Sequence, residues 1–214
     1  MEFIAHRINT IKELKNVSAE YGVELDIRDN GDKLILHHDP FTTGEDFEEY
    51  LKHYKHGTMI LNIKSERIEY KVLELINKYN IKKYFFLDSS FPMIYKLTSN
   101  GEKNIALRFS EFEGLGTVLK MKGKADWVWI DCFTNLPVNK ENYEVLKNAG
   151  FKLCLVSPCL VNREHDIQEY RSYLSSNNIK IDAVCARIHN IKQWEYKYKY
   201  SRAELYNKDN KKVE

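Results

Sequence analysis

The 214-residue sequence lacks several features that would mark a specialised protein class. Its four cysteines do not have the close spacing of a structural metal site and lie in or beside apolar runs, so we expect buried, reduced thiols at Cys132, Cys154, Cys159 and Cys185. An excess of one charge is also missing, because 33 basic residues face 31 acidic ones. The net charge of +2 argues against a dedicated nucleic-acid surface and leaves a small anion pocket possible.

Long apolar segments are absent too. No stretch approaches the roughly 18 residues needed to cross a bilayer, so we expect no stable membrane insertion. The first residues show neither a basic leader nor a cleavage site, which makes the cytoplasm the expected location. No repeat or linker divides the chain, so we predict one domain over residues 1–190. Residues 191–214 are rich in Lys, Tyr and Glu and are predicted to form a polar tail, partly helical or disordered.

Short β-rich apolar runs alternate with segments of helical spacing, a pattern typical of a parallel α/β fold. We predict eight principal strands at Phe3–Arg7, Val23–Arg28, Met59–Lys64, Tyr84–Ser89, Ile105–Ser110, Trp127–Phe133, Lys152–Ser157 and Ala183–Ile188, and a further run at Leu34–His38 that extends or follows the second. The predicted helices are Thr10–Tyr21, Phe47–Lys55, Ile68–Tyr79, Pro92–Thr98, Glu113–Lys120, Lys140–Asn148 and Ile167–Ser175. Eight strands with crossover helices favour a closed (β/α)8 TIM barrel over an open sheet.

Polar residues cluster near the ends of these strands, where barrels of this type build their active sites. Glu24 and Asp26 are two residues apart, so their side chains share one face, and two such carboxylates repel unless a cation joins them. Mg²⁺ or Ca²⁺ suits an all-oxygen site of this kind. Asn62 and Lys64 follow the same period of two and suit a metal and a phosphate. Either pair alone also fits a solvent-facing strand, but their joint occurrence favours a site.

Histidines end two of the predicted runs. His6 precedes Arg7 at the end of the first strand, and His38 follows the second. Two histidines on opposite sides of a phosphate can divide the proton transfers of a displacement reaction, while Arg7 and Lys64 hold the phosphate oxygens. The neighbouring His37 must point the opposite way in an extended segment, so we interpret it as a packed or exposed bystander.

Three motifs occur in order, at residues 4–7 (IAHR), 22–26 (GVELD) and 36–40 (LHHDP). Together they resemble the glycerophosphodiester phosphodiesterase family of the phospholipase C-like phosphodiesterase superfamily, whose signature is His-Arg at the first strand, Glu-x-Asp at the second and His-Asp shortly after. The resemblance covers roughly residues 3–188. It implies a TIM barrel in which His6 and His38 act as acid and base and Glu24 and Asp26 bind the metal.

A narrower resemblance is to a little-studied bacterial subgroup of this superfamily. It is carried by residues 62–65 (NIKS), 85–92 (FFLDSSFP), 108–113 (RFSEFE), 129–133 (WIDCF) and 156–158 (VSP).

Two positions depart from the wider family. Ile8 stands where Gly is usual after His-Arg, and Asn62 stands where the third strand usually has Glu. The second change removes a negative charge from the metal shell. Either Asp88 or Asp131, both predicted at neighbouring strand ends, could supply the missing carboxylate. If neither does, two carboxylates and the Asn62 amide would still bind Mg²⁺ or Ca²⁺, more weakly.

Other residues near the predicted strand ends have two interpretations. Asp88, Arg108, Trp129 and Asp131 are possible substrate or metal contacts, but such residues also cap helices and bridge loops; the same holds for Glu111 and Ser157. Trp127 shares a strand face with Trp129, where core packing and an aromatic wall for a sugar or polyol are the alternatives.

The predicted function is a metal-dependent phosphodiesterase that hydrolyses a small glycerophosphodiester-like or polyol phosphodiester. The resemblance implies that a neighbouring hydroxyl attacks first to give a cyclic phosphate, which water then opens. One alternative is a catalytically degenerate barrel that binds a phosphorylated polyol or glycan intermediate, motivated by the loss of the third carboxylate. Another is a transferase that moves the phosphorylated group to an alcohol. The oligomeric state stays open.

Overall fold

The computed structural model describes residues 1–195, and most of the predicted tail lies outside the described residues. Within this range the strands are β1 Glu2–Ala5, β2 Gly22–Asn30, β3 Lys33–Leu36, β4 Glu45–Asp46, β5 Met59–Ile63, β6 Tyr84–Leu87, β7 Ala106–Phe109, β8 Trp127–Ile130, β9 Lys152–Val156 and β10 Ala183–Ala186. All eight principal strands predicted from the sequence are present.

Parallel pairing joins these eight strands into one curled sheet. Strand β1 pairs with both β2 and β10, while β2 continues to β5 and β6, and β10 continues through β9 and β8 to β7. Between β6 and β7 the described residues make one isolated parallel bridge, Phe86 to Ile105. The structure therefore confirms one α/β domain with a curled parallel sheet, whereas the predicted closed barrel lacks a regular ladder at this seam.

A small antiparallel extension lies beside the curled sheet. The last residues of β2 pair with β3, where Ile27 lies opposite Leu36, and β3 pairs in turn with β4. The run predicted at Leu34–His38 is thus a separate strand that follows the second, and β4 was not predicted.

The helices flank the sheet at the expected places. They are α1 Ile11–Leu14, α2 Phe47–Leu51, α3 Glu69–Lys78, α4 Phe91–Ser99, α5 Leu115–Lys120, α6 Lys140–Asn148, α7 Ile167–Ser176 and α8 Ile191–Glu195. Short 3₁₀ helices occupy Pro158–Val161, Glu164–Asp166 and Ile188–Asn190. No helix within residues 1–195 is long and apolar enough to cross a membrane.

The helix predicted over Thr10–Tyr21 is wrong in length. Thr10 and Glu13 form a capping box that starts α1, but the helix lasts only one turn. The N–H of Val17 then donates to the carbonyl of Leu14, a tighter i to i+3 bond that turns the chain toward β2. Asn16 and Val17 are both weak helix formers, and burial of Val17 offsets the lost helical bonds.

The two faces of the curled sheet pack into two different apolar cores. Alternate residues point inward and form a small cluster that includes Ile4, Ile60 and Phe85, whereas their neighbours pack outward against the helices. The same alternation directs the side chains at the carboxyl ends of the strands toward the space above the inner cluster. All four cysteines are buried and free, as the sequence predicts.

Helix α8 packs the start of the predicted tail onto the domain. Ile191 and Trp194 are buried, and Trp194 Nε1 donates to Ser157 Oγ at 2.9 Å. Ser157 itself is fully buried. This hydroxyl, considered as a substrate contact, instead holds α8 against the end of β9.

Candidate active site

A pocket of about 500 Å³ opens at the carboxyl ends of the strands. Its lining includes ten of the residues that the sequence singled out: His6, Arg7, Glu24, His38, Asn62, Lys64, Asp88, Arg108, Trp129 and Asp131. Asp26, the other predicted metal ligand, is fully buried next to it, with its carboxylate 3.5 Å from Lys64 Nζ and 3.7 Å from Arg7 Nε. Segments distant in sequence therefore meet around one space, as the strand periodicity predicts.

Glu24 is fixed by two hydrogen bonds. Its Oε2 accepts from the backbone N–H of Arg7 at 2.8 Å, and its Oε1 accepts from Asn62 Nδ2 at 2.8 Å. Glu24 is fully buried, and this burial, with the nearby charge of Asp26, raises the pKa of its carboxyl group. The site therefore holds a carboxylate that a positive charge would stabilise.

Asp26 has a partner that the sequence did not indicate. Asn9 Nδ2 donates to Asp26 Oδ2 at 2.9 Å, and the backbone N–H of Asp26 donates back to Asn9 Oδ1 at 2.8 Å. This reciprocal pair orients one carboxylate oxygen and leaves Oδ1 toward Lys64. Asn9 lies in a loop without periodic pattern, so no local sequence signal marks it.

The residues around Glu24 fit a hard divalent cation. Asn62 Oδ1 is buried and has no hydrogen-bond partner within residues 1–195, and Asp26 Oδ1 is buried with no hydrogen bond there and only the Lys64 ammonium, 3.5 Å away, beside it. Such orphaned oxygens are costly unless something binds them, and carboxylate and amide oxygens are the ligands that Mg²⁺ and Ca²⁺ prefer. In the described part of the chain, no group of three or more His, Cys, Asp or Glu side chains is arranged to hold a metal. The candidate ligands are therefore two carboxylates and one amide.

The two predicted catalytic histidines line the same pocket but differ in environment. His6 Nε2 lies 3.7 Å from Glu24 Oε2, and burial together with the charge of Arg7 lowers the pKa of His6 to about 4. Its imidazole is consequently neutral near pH 7. His38 is more exposed and its Nδ1 lies 2.8 Å from Asp39 Oδ1, which leaves Nε2 free.

His37 lies outside the pocket, in agreement with its interpretation as a bystander. Its Nδ1 accepts from the backbone N–H of Asp39 at 3.0 Å, and it is not among the residues that line the pocket.

A chain of ion pairs crosses one side of the pocket. Lys64 Nζ lies 3.4 Å from Asp88 Oδ2, and Arg108 Nε donates to Asp88 Oδ1 at 2.7 Å. Arg108 also donates to Asp131, which accepts a further bond from Trp129 Nε1 at 3.1 Å. Burial raises the pKa of Asp131 to about 6 against the opposing charge of Arg108. Asp88 and Asp131 are thus both paired with Arg108.

Two pocket residues adopt left-handed backbone conformations that are unusual for residues other than glycine. Arg7 has φ 54° and Asp88 has φ 61°. Such conformations cost roughly 1 kcal/mol or more and persist where surrounding contacts demand them. At Arg7 the contact that requires this conformation is the hydrogen bond from its backbone N–H to the Glu24 carboxylate.

Arg187 is a pocket residue that the sequence interpretation missed. It directly follows β10, and its Nη2 donates to Asn162 Oδ1 at 2.7 Å. Within residues 1–195 no carboxylate lies within ion-pairing distance of it, unlike the other three pocket cations. Arg187 could have been identified from the sequence, because polar residues at the carboxyl end of a barrel strand are candidates for the active site and Arg187 lies at the end of the last predicted strand.

Two other candidates have structural roles. The carboxylate of Glu111 accepts backbone N–H groups of the loop after β8, from Thr134 at 2.7 Å and Asn135 at 2.8 Å. Trp127 stacks on Phe85 with ring centroids 4.6 Å apart in the inner core and is not in the pocket lining. Trp129 does line the pocket. Of the two tryptophans on this strand face, Trp127 therefore packs in the core and Trp129 belongs to the site.

Sequence comparisons found neither a matching family model nor a matching curated protein. Solved structures similar to this chain include two from Agrobacterium tumefaciens that are named as a glycerophosphoryl diester phosphodiesterase and a glycerophosphodiester phosphodiesterase. One crystal structure aligns with a TM-score of 0.67 over 92% of this chain and 99% of its own, at 12% identity. A second aligns with a TM-score of 0.61 over 89% of this chain and 98% of its own, at 15% identity. At these identities the likeness establishes the fold.

Proposed function

We propose that this protein, which has the fold of glycerophosphodiester phosphodiesterases, is a metal-dependent phosphoric diester hydrolase acting on a glycerophosphodiester-like or polyol phosphodiester. The observation that carries the proposal is one pocket that collects two imidazoles, a buried carboxylate with an amide, and four cations. We further propose that the curled sheet is a closed (β/α)8 barrel with this pocket at its carboxyl end. The Phe86–Ile105 bridge would be the contact that closes it.

The phosphate of the substrate would lie among Arg7, Lys64 and Arg187. A guanidinium forms paired hydrogen bonds with phosphate oxygens, and an ammonium adds a point charge. Arg7 and Lys64 already share the Asp26 carboxylate, so each keeps donors for a second anion. Arg187 has only a neutral amide partner among the described residues and gains most from an anion.

The divalent ion would be held by Glu24, Asp26 and Asn62, whose oxygens are buried beside the phosphate-binding cations. When bound, Mg²⁺ or Ca²⁺ would neutralise the charge that develops on the phosphate oxygens. It would also relieve the repulsion between the two carboxylates. Replacement of the family's usual Glu by Asn62 leaves this site with one negative charge fewer.

His6 and His38 would carry the protons. One imidazole takes the proton of a neighbouring substrate hydroxyl as its oxygen bonds to phosphorus, and the other gives a proton to the leaving alcohol oxygen as the old P–O bond breaks. In the second half their roles exchange: water loses a proton, its oxygen bonds to phosphorus, and the ring P–O bond opens to a phosphomonoester. His6 is neutral near pH 7 and so has a ring nitrogen that can accept a proton, while its lowered pKa makes it a weaker base than a free imidazole.

The direct test is a screen of glycerophosphodiesters with Mg²⁺, Mn²⁺ or Ca²⁺ and with EDTA. We expect release of a phosphomonoester that depends on the ion and disappears in His6→Asn. Tight binding of the diesters without product would contradict hydrolysis, and product formed only with an alcohol acceptor would contradict water as the acceptor.

A further inference from the structure

The pocket has a charged side and an apolar side. The charged residues lie on or after β1, β2, β3 and β5 to β8, with Arg187 after β10. The apolar part of the lining, which we call the apolar wall, begins two residues beyond Asp131 after β8 and continues at the end of β9; it consists of Phe133, Val156, Leu160 and Val161. Val156 belongs to the inner core, and Leu160 packs against both cores, so the wall is anchored in the domain.

The apolar wall continues out of the pocket. Phe133 is 43% exposed, and its ring centroid lies 6.1 Å from that of Phe112, which is 75% exposed. Two adjacent exposed phenylalanines at the rim of a polar site form a continuous apolar track from the pocket to the surface. Neighbouring exposed aromatics of this kind typically mark a binding surface.

The wall is held in this position by polar contacts. Glu111 binds the backbone of the residues that follow Phe133, at Thr134 and Asn135. Arg163 Nη1 donates to the Phe133 carbonyl at 3.2 Å, and Arg163 is itself paired with Asp166. Phe133 is therefore presented to the pocket mouth by a braced loop.

A fully deacylated glycerophosphodiester has no apolar group to cover such a track, since both its alcohols are small and polar. A phosphodiester that carries an acyl or alkyl chain would contact both parts of the lining. Its phosphate would lie among the cations, and its chain would pack along Phe133 and Phe112. We infer that the substrate is an amphiphilic phosphodiester of the lysophospholipid class, a refinement that rests on the proposed function. The bond cleaved is the same P–O ester.

The test compares ligands that share one head group and differ in chain length. Alkylphosphocholines with butyl, hexyl and octyl chains, kept below micelle-forming concentration, are titrated by calorimetry. Full burial of a methylene strengthens binding about fourfold, so a half-open wall should give roughly twofold per methylene and about sixteenfold over the four methylenes from butyl to octyl. Turnover is compared for octanoyl-lysophosphatidylcholine and glycerophosphocholine, and we expect kcat/KM to be about tenfold higher for the acylated diester.

The double variant Phe112→Ser, Phe133→Ser should flatten the dependence on chain length to less than about threefold. Phe91→Ser is the matched control, because Phe91 is 49% exposed, lies at the start of α4 and is not among the residues that line the pocket. Its chain-length dependence should equal that of the unmodified protein. Thermal melting of both variants checks that they are folded.

The outcomes separate the two proposals. If glycerophosphocholine is hydrolysed and the chain brings no advantage, the amphiphilic substrate is wrong and the phosphodiesterase stands. If no diester is hydrolysed with any ion but affinity rises with chain length through Phe112 and Phe133, hydrolysis is wrong and the apolar wall stands as a lipid-binding track. If sedimentation shows a dimer that Phe112→Ser dissociates, and affinity ignores chain length, the wall is an interface between copies and the inference is overturned.

Discussion

His37 and His38 are adjacent in sequence, but only His38 lines the pocket. We expect His38→Asn to lower kcat/KM for a glycerophosphodiester by about 10²- to 10⁴-fold, the usual contribution of a general acid or base. His37→Asn should stay within about threefold of the unmodified enzyme, because its ring contacts Asp39 outside the pocket. Initial rates of phosphomonoester release check both variants. Equal losses in the two would contradict the assigned role of His38.

Glu24 offers a test of the metal site that does not need turnover. An ion that binds only the folded protein stabilises it by about 2.7 kcal/mol at 100 times its dissociation constant. We therefore expect Mg²⁺ or Ca²⁺ to raise the melting temperature of the unmodified protein, and Glu24→Gln to lose most of this rise. Glu24→Gln relieves the repulsion with Asp26 but leaves one of the two N–H donors, Arg7 or Asn62, without its acceptor, so the response of each protein to the ions is measured against its own melting temperature in EDTA. An equal response of both proteins to the ions would contradict Glu24 as a ligand.

Arg187 is the pocket cation without an acidic partner among residues 1–195. Arg187→Gln should weaken the binding of inorganic phosphate and raise the KM for a diester by roughly tenfold, the order expected from losing one charge-assisted hydrogen bond. Calorimetry with phosphate and steady-state kinetics give the two values. Unchanged phosphate affinity would remove Arg187 from the anion site.

At the level of single residues, the period of two along a strand predicted that Glu24 and Asp26 share a face, but it did not predict that the adjacent His6 and Arg7 both line the pocket. The same rule explains why Ser157, for which the sequence left two interpretations, has the structural one. Val156 faces the pocket, so the next residue must face outward, where it meets Trp194. Asn9 could not be predicted, because its contact with Asp26 depends on how a non-periodic loop folds back over β2.

Among the secondary-structure elements, long periodic segments were predicted best. Helix α6 has the predicted bounds, Lys140–Asn148, because an Asn139 capping box starts it and Gly150, with φ 91°, follows its end. Helix α1 ended early because tertiary burial of Val17 outweighed local helical spacing. Strand β4 was missed because two residues carry no readable periodicity.

The loop after β8 depends on one carboxylate. Burial raises the pKa of Glu111, but the backbone N–H groups of Asn135 and Thr134 outweigh it and lower the pKa to about 2. Because the folded pKa lies below the unfolded one, this stability is present above about pH 4.5 and is lost as the pH falls toward 2. Glu111→Gln should cost about 1–2 kcal/mol at pH 7, allowing for partial exposure, and almost nothing near pH 2. Urea unfolding at several pH values tests this, and a pH-independent cost would contradict the mechanism.

For the whole molecule, the alternation of strands and helices predicted the α/β class, but it could not predict how the sheet closes. Closure depends on the pairing of strands, and the number of strands does not determine which neighbours form full ladders. Within residues 1–195 the backbone pairing between β6 and β7 is the single bridge from Phe86 to Ile105, whereas β5 forms ladders with both of its neighbours.

This difference predicts unequal protection from hydrogen exchange. The Phe86 N–H, which donates to the Asn104 carbonyl at 2.8 Å beside the seam, should exchange roughly tenfold or more faster than the amides of Met59–Ile63. Exchange measured residue by residue by NMR would show it. Protection at Phe86 equal to that of β5 would mean that the seam is as stable as the regular ladders.

The central claim is that the pocket at the carboxyl ends of the strands cleaves a phosphodiester through His6 and His38. The most direct measurement is the ³¹P NMR spectrum of a lysophospholipid or glycerophosphodiester incubated with the protein and Mg²⁺ or Ca²⁺. We predict that the diester resonance is replaced by that of a phosphomonoester, and that His6→Asn, still folded, leaves the diester intact. Conversion at the same rate in His6→Asn, or an unchanged diester in the unmodified protein with every ion, would contradict the claim.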